Sequence, residues 1–157
     1  MMAENFLDVK VVRTKSNSPE ALLLIGELSK ELAARYGDDG MSDFDPQNIT
    51  IEKSCFVVAW LNENAVGCGA LRPMKENIGE VKRMYVKPEM RGKGISRKIL
   101  NELEKAAKEF GYEKVWLETG VLQPEAVGLY EKDGYIRIKN YGIYENNPLS
   151  ICFEKIL

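Results

Sequence analysis

The sequence contains no histidine, only three cysteines and no long apolar run. The absence of histidine excludes Ser-His-Asp and Cys-His nucleophile systems and histidine-bearing zinc sites, so proton transfer must use carboxylates, tyrosines, amines or thiols. The cysteines, Cys55, Cys68 and Cys152, lack CxxC spacing and lie in apolar, strand-like segments, which predicts buried free thiols. Because no signal-peptide pattern and no apolar run of about 18 residues is present, we expect a cytoplasmic protein without a membrane partner.

The charge balance and the length limit the class of protein further. Lys and Arg number 22 against 24 Asp and Glu, a net charge of -2, so a general basic field for nucleic acid is lacking and we expect no nucleic-acid partner. A chain of 157 residues with 45% hydrophobic residues can bury one ordinary core. We therefore predict a single domain over residues 1–157.

Periodicity and turn residues predict an α+β fold with a mixed central sheet flanked by helices. Helices are expected to begin at Ser18-Pro19, at Gly94 and at Pro124. Strands are expected over residues 8–13, 55–61, 65–71, 80–86, 114–118, 135–138 and 149–155. The second to fourth strands should form an antiparallel meander, and the helix between the fourth and fifth strands should make those two strands parallel.

The first helix and the segment after it carry two further expectations. Leu22, Ile25, Leu28 and Leu32 recur at helical spacing and should form its buried stripe, and Gly37 should close it. The aperiodic stretch from residue 37 to 48 should be a surface loop, and its aspartates are Asp38, Asp39, Asp43 and Asp45.

A glycine-rich loop follows the strand that ends at Val86. The run Arg91-Gly92-Lys93-Gly94 leads directly into an amphipathic helix, where unpartnered first-turn N–H groups and the helix dipole favour a phosphate. It is neither a Walker loop nor a dinucleotide GxGxxG motif. By itself the pattern is also typical of a simple tight turn.

Three segments together resemble the GNAT superfamily of N-acetyltransferases. Arg91-Gly92-Lys93-Gly94-Ile95-Ser96 is similar to its acyl-CoA pyrophosphate signature, Q/R-x-x-G-x-G/A, with Ser96 in place of the last small residue. The segment 85–89 resembles the family's fourth strand and turn. The segment 123–135 resembles its N-x-x-A-x-x-L-Y-x-x-x-G-F/Y segment, with Gln123 in place of Asn. These matches cover residues 80–135 in the family's order.

The resemblance implies a cofactor site for acetyl-CoA and no metal. Backbone amides from Arg91 to Ser96 would hold the pyrophosphate, and Gln123 is the position of a pantetheine contact. The main chain of the segment Met84, Tyr85 and Val86 would pair with the pantetheine arm like an added strand, where the fourth and fifth strands part. An N–H near Val86 would stabilise the oxyanion.

The resemblance also implies two catalytic residues. Tyr130 matches the tyrosine that protonates the leaving thiolate, although a tyrosine at that position is also typical of a core residue. Glu80 matches the strand-four glutamate that some members use as a base. Lys82 lies on the same strand face and is a candidate ion-pair partner for Glu80. Glu118 and a water molecule are the alternatives for the base.

The predicted function is acetyl transfer from acetyl-CoA to the amine of a small molecule or peptide, by direct attack in a ternary complex. The alternative is a catalytically silent acyl-CoA-binding or regulatory module on the same fold. The acidic loop predicts cationic acceptors if it helps to wall the acceptor cleft, and ordinary surface solvation is the competing interpretation. The sequence leaves the oligomeric state open, a homodimer included.

Overall fold

A computed structural model describes residues 8–41 and 52–157, which form a seven-stranded sheet with helices on both faces. The strands are β1 (Val9–Thr14), β2 (Cys55–Leu61), β3 (Asn64–Lys75), β4 (Ile78–Val86), β5 (Lys114–Gly120), β6 (Ile136–Ile138) and β7 (Ser150–Ile156). The helices are α1 (Pro19–Tyr36), α2 (Ile95–Glu109) and α3 (Pro124–Lys132). Among the described residues, no helix has both the length and the apolar character needed to span a bilayer.

The sheet is mixed, as the sequence predicts, with the order β1-β2-β3-β4-β5-β7-β6. β1 to β4 are antiparallel neighbours, and β4 and β5 pair in parallel across the α2 crossover. β7 inserts between β5 and β6 and is antiparallel to both. The α+β mixed-sheet prediction is confirmed.

α1 begins and ends where the sequence indicates, but its buried face differs from the predicted stripe. The Ser18 Oγ accepts a hydrogen bond from the Ala21 N–H at 3.2 Å, and Gly37 closes the helix. The buried residues are Ala21, Leu24, Ile25 and Leu28, whereas Leu22 is 48% exposed. Residues 21–25 are all apolar, so the sequence does not fix which side of this turn faces the sheet, and packing decides it.

The predicted break after Leu71 is also wrong, because β3 continues to Lys75 and pairs with β4 as far as Ile78. Pro73 is tolerated there because β2 begins at Cys55, opposite Leu71, so this end of β3 pairs with β4 alone.

Two apolar layers cover the sheet. α2 and α3 pack on one face, with Ile99, Leu103 and Tyr130 in the same core cluster as Leu117 and Phe153. α1 packs on the other face. The contact with α2 is close: a Cβ added at Gly69 would lie 2.9 Å from side-chain atoms of Ile99 and Leu103. Tight helix packing therefore explains this strand glycine.

β4 contains a bulge and then separates from β5. Cys68 pairs with Tyr85 and Ala70 with Lys82, so two β4 residues, Arg83 and Met84, oppose one residue of β3. Arg83 has a φ of 57°, and this bulge redirects the end of the strand. Pairing of β4 with β5 covers Ile78–Val81 against residues 114–117 only. The remaining halves of the two strands diverge and open a cleft.

Candidate active site

The cleft between the diverging strands is a cavity of about 1180 Å³. It is bounded by α1, the ends of β4 and β5, the glycine-rich loop at the start of α2, α3, and residues 143–150. One continuous space therefore joins the predicted cofactor loop to the opposite end of the cleft. We call that opposite end, between α1, the strand positions 82 and 118, and residues 143–150, the acceptor end.

The glycine-rich loop has the backbone geometry expected for close ligand approach. Gly92 and Gly94 have φ values of 78° and 82°, the left-handed region that favours glycine. A Cβ added at either would meet nothing within 4 Å, so open space lies beside both. Gly92, Gly94, Ile95 and Ser96 line the cleft, whereas Lys93 is exposed and is not part of the lining.

Arg91 braces this loop through its side chain. Its Nε donates to the Val86 carbonyl oxygen at 2.8 Å, and its Nη2 donates to Glu31 Oε1 at 2.7 Å. The guanidinium carbon also lies 5.7 Å from the centroid of the Tyr85 ring. The side chain of Arg91 therefore ties the loop to β4 and α1.

A second carboxylate of α1 holds the adjoining end of β4. Glu27 lies one helical turn before Glu31; its Oε1 accepts from the Tyr85 hydroxyl at 3.0 Å, and its Oε2 lies 3.5 Å from Lys87 Nζ. Burial and the Glu27 carboxylate raise the pKa of Tyr85, so its hydroxyl stays a donor. The two acids at i,i+4 spacing, Glu27 and Glu31, are the α1 carboxylate pair. Their spacing is visible in the sequence, but neither residue is among the predicted site residues.

The β4 positions expected to face the pantetheine arm lie at the cleft. Met84, Tyr85 and Val86 all line it, downstream of the last β4–β5 pair. An extended ligand can therefore enter beside this part of β4, where β5 no longer pairs with it.

Tyr130 belongs to both the core and the cleft. It is 5% exposed, its ring lies 5.7 Å from that of Tyr135 and 6.0 Å from that of Phe153, and it lines the cavity. Within the described part of the chain, its hydroxyl makes no hydrogen bond with protein. Burial, with a smaller contribution from the Glu118 carboxylate, raises the pKa of Tyr130, so the phenol holds its proton at neutral pH.

Glu80 lies outside the cleft lining. Its side chain is 1% exposed, Oε1 pairs with Arg72 Nη2 at 2.9 Å, and Oε2 accepts from the Tyr141 hydroxyl at 2.6 Å. The predicted ion pair between Lys82 and Glu80 is wrong. Arg72, directly opposite on β3, pairs with Glu80. Lys82 instead contacts the Tyr144 hydroxyl.

The alternative carboxylate, Glu118, does line the cleft. Its Oε2 accepts a hydrogen bond from the Ser150 hydroxyl at 2.7 Å. Tyr130 lines the same cleft, and the Glu118 carboxylate contributes to the raised pKa of Tyr130.

Gln123 has protein partners for its amide oxygen. Oε1 accepts from the Gly120 N–H and from the Tyr36 hydroxyl, both at 3.3 Å. A Cβ added at Gly120 would lie 1.9 Å from the Tyr36 hydroxyl oxygen, so the missing side chain gives Tyr36 its place in the wall of the cleft. No local sequence pattern indicates this contact, because Gly120 is distant from Tyr36 in the chain.

The thiols and the acidic loop are also placed. Cys68 is fully buried and burial raises its pKa to about 12, so it remains an unreactive thiol. Of the four aspartates, Asp38 lines the cleft, and both Asp38 and Asp39 accept hydrogen bonds from main-chain N–H groups of their own loop. Asp43 and Asp45 lie outside the described residues.

Comparison with known proteins defines the class. The model of the Acetyltransferase (GNAT) family matches residues 24–135. An IAA acetyltransferase of Azospirillum brasilense is 35% identical over 151 residues, which cover 96% of this chain and 99% of that protein. A solved structure from Klebsiella pneumoniae, assigned as an acyl-CoA N-acyltransferase, has a TM-score of 0.81 and 29% identity, with coverage of 96% and 99%. A GNAT family acetyltransferase of Elizabethkingia anophelis, solved with acetyl-CoA bound, shares the fold with a TM-score of 0.71 at 21% identity, with coverage of 96% and 99%.

The chain therefore belongs to the GNAT family of acetyltransferases. The family resemblance and the fold expected from the sequence are confirmed, and the protein is an acetyltransferase.

Proposed function

We propose that the protein transfers the acetyl group of acetyl-CoA directly to an amine, within a ternary complex of enzyme, acetyl-CoA and amine. The observation that carries the proposal is the single cleft that runs from the glycine-rich loop, past Tyr130, to the acceptor end. The acetyl-CoA held by the Elizabethkingia anophelis relative, on the same fold, supports this co-substrate.

The glycine-rich loop would bind the pyrophosphate. The N-terminus of α2 offers first-turn N–H groups that have no partner within the helix, and the left-handed glycines let a phosphate approach them. Because the Arg91 side chain is engaged by Val86 and Glu31, its role in this proposal is to hold the loop, and the main chain from Arg91 to Ser96 contacts the phosphates.

Tyr130 would act as the general acid. The nitrogen of the amine attacks the thioester carbonyl, the carbon–sulfur bond breaks, and the thiolate takes the phenolic proton while the amine gives up a proton to a base. A phenol with a raised pKa is fully protonated at neutral pH and can supply that proton in a site shielded from water.

For the base, the geometry favours Glu118. Its carboxylate lines the cleft, so it can reach an amine directly or through one water molecule. The Glu80 carboxylate is held between Arg72 and Tyr141 and can reach the amine only if those contacts change. In this proposal Glu80 supports the wall of the acceptor end through Tyr141, and its role as the base stays a prediction.

Acetyl transfer is tested by incubating the protein with acetyl-CoA and a panel of amines and measuring released thiol together with the acetylated product. We expect product and thiol in equal amounts for at least one amine. If coenzyme A binds but no amine accelerates thiol release, the protein is a silent acyl-CoA-binding module.

The two carboxylates are separated by Glu118→Gln and Glu80→Gln. Loss of the base should lower kcat/KM and move the high-activity limb to higher pH. We expect this profile for Glu118→Gln, and for Glu80→Gln a lower unfolding midpoint, because Arg72 loses its buried partner. The reverse pattern would return the base role to Glu80.

A further inference from the structure

The C-terminal end of α1 contacts the turn that joins β5 to α3. Arg35 Nη1 donates to the Leu122 carbonyl oxygen at 3.3 Å and also lies 3.3 Å from Glu125 Oε1. The Tyr36 hydroxyl accepts a hydrogen bond from the Leu122 N–H at 3.1 Å. Two consecutive residues of α1 therefore hold the main chain of the same turn, just before α3 begins.

The Tyr36 hydroxyl also contacts the side chain of Gln123. It donates to Gln123 Oε1 at 3.3 Å, and the Gly120 N–H donates to the same oxygen at 3.3 Å. Because a main-chain N–H can only donate, the atom that faces Gly120 must be the amide oxygen, and this fixes the orientation of the amide. Burial raises the pKa of Tyr36, so its hydroxyl keeps the proton that it donates.

The amide nitrogen of Gln123 is the donor that this arrangement leaves to a ligand. A carbonyl oxygen accepts two hydrogen bonds, and the two contacts of Oε1 complete that number. Gln123 lines the cleft, and within residues 8–41 and 52–157 its Nε2 has no hydrogen-bond partner. A half-buried amide nitrogen held in one orientation is suited to a neutral carbonyl oxygen.

The position of Gln123 relative to Tyr130 indicates which part of a ligand it would meet. Gln123 is the N-cap of α3, and Tyr130 follows seven residues later, two helical turns further on. Both residues line the cleft. A pantetheine arm whose thiol lies at Tyr130 carries its two amide groups along the same wall.

We propose that Tyr36 is a positioning residue for acetyl-CoA: its hydroxyl holds the Gln123 amide so that Nε2 donates to an amide carbonyl oxygen of the pantetheine arm. The inference rests on the proposed binding of acetyl-CoA. It adds to that site a residue of α1, which lies outside the three segments that resemble the family. Gly120 has a part in the same arrangement, because a side chain there would displace the Tyr36 hydroxyl.

The test is a double-mutant cycle with Tyr36→Phe and Gln123→Met, measured as the dissociation constant of coenzyme A by calorimetry. Each single change should weaken binding about threefold to tenfold, the effect of one neutral hydrogen bond. Since Tyr36 acts through the Gln123 amide, the double variant should bind no more weakly than Gln123→Met alone.

Arg35→Met is the matched control. It removes the contacts that the neighbouring residue makes with the same turn but leaves the Gln123 amide in place, so the affinity for coenzyme A should stay within about twofold. ADP, which has the pyrophosphate but not the pantetheine arm, provides a second comparison. Its inhibition constant against acetyl-CoA should be the same for the unaltered protein, Tyr36→Phe and Gln123→Met, and a thermal melt confirms that each variant is folded.

The outcomes separate this inference from the proposed function. Unchanged affinity in Tyr36→Phe, additive losses in the double variant, or an equal loss in Arg35→Met would overturn the role of Tyr36 while leaving acetyl-CoA as the co-substrate. A parallel loss of ADP affinity would place the effect at the phosphates and would also overturn it. Failure of the unaltered protein to bind coenzyme A would instead refute the proposed function.

Discussion

Removal of the Tyr130 hydroxyl tests the catalytic role of this residue separately from its contribution to stability. In Tyr130→Phe the aromatic ring, and with it the packing against Tyr135 and Phe153, is retained. Because the hydroxyl makes no hydrogen bond with protein among the described residues, its removal leaves no buried partner unsatisfied.

The expected magnitudes follow from these contacts. The free energy of unfolding should change by no more than about 1 kcal/mol, since neither packing nor a protein hydrogen bond is lost. Turnover should fall by a factor on the order of 10² to 10⁴, the usual effect of losing a general acid. Affinity for coenzyme A should stay nearly unchanged, because the glycine-rich loop proposed to bind the pyrophosphate is untouched.

The assay measures kcat with saturating acetyl-CoA, the dissociation constant of coenzyme A by calorimetry and the urea midpoint of each protein. Tyr135→Phe is the matched control: its hydroxyl donates to Glu104 at 2.8 Å, outside the cleft. This control should lose about 1 kcal/mol of stability and keep its turnover.

A turnover of Tyr130→Phe equal to that of the unaltered protein would refute the acid role and leave Tyr130 as a core residue. A fall in turnover that parallels weaker coenzyme A binding would show that the residue shapes the cofactor site instead.

Three further predictions concern the loop, the brace and the response to pH. Gly94→Glu should abolish coenzyme A binding in calorimetry by placing a negative charge beside the phosphates, whereas Gly94→Ala, with the same left-handed backbone, should bind within a few-fold of the unaltered protein. Glu31→Gln should raise the KM for acetyl-CoA about threefold to tenfold at unchanged kcat, because Arg91 loses a partly exposed ion pair. An unchanged KM would show that the contact between Arg91 and Glu31 does not support cofactor binding. Burial raises the pKa of Cys68 to about 12 and also raises the pKa of Tyr141, so folding favours their protonated forms. The unfolding free energy should therefore be highest below about pH 8.5 and fall as pH rises through the ordinary cysteine and tyrosine values, as urea melts would show; a flat profile to pH 11 would contradict this.

Local signals predicted most of the fold because they fix helix ends and strand character. Ser18 and Gly37 bound α1 as expected, and the α2 crossover determines the parallel pairing of β4 with β5. Ile25 and Leu28 of the predicted α1 stripe are buried, but the exposure of Leu22 was not predicted, because five consecutive apolar residues carry no period. The length of β3 was missed because the cost of Pro73 depends on where β2 begins.

The residues that line the cleft were predictable where one contiguous motif contains them. The glycine-rich loop and Tyr130 both face the cleft as the motif implies. The partner of Glu80 was not predictable, because the β3–β4 register places Arg72 opposite it and Tyr141 reaches it from 61 residues away. Contacts that join distant parts of the chain carry no local sequence pattern.

α1 serves both ends of the cleft, which matters for directed evolution of the enzyme. Leu28 and Leu32 line the acceptor end, while the interleaved α1 carboxylate pair holds the glycine-rich loop and the end of β4. Mutations in this helix selected for a new acceptor will therefore tend to change cofactor affinity at the same time. Libraries aimed at residues 143–149 alter the same end of the cleft without touching that brace, and they are the better starting point for changing specificity alone.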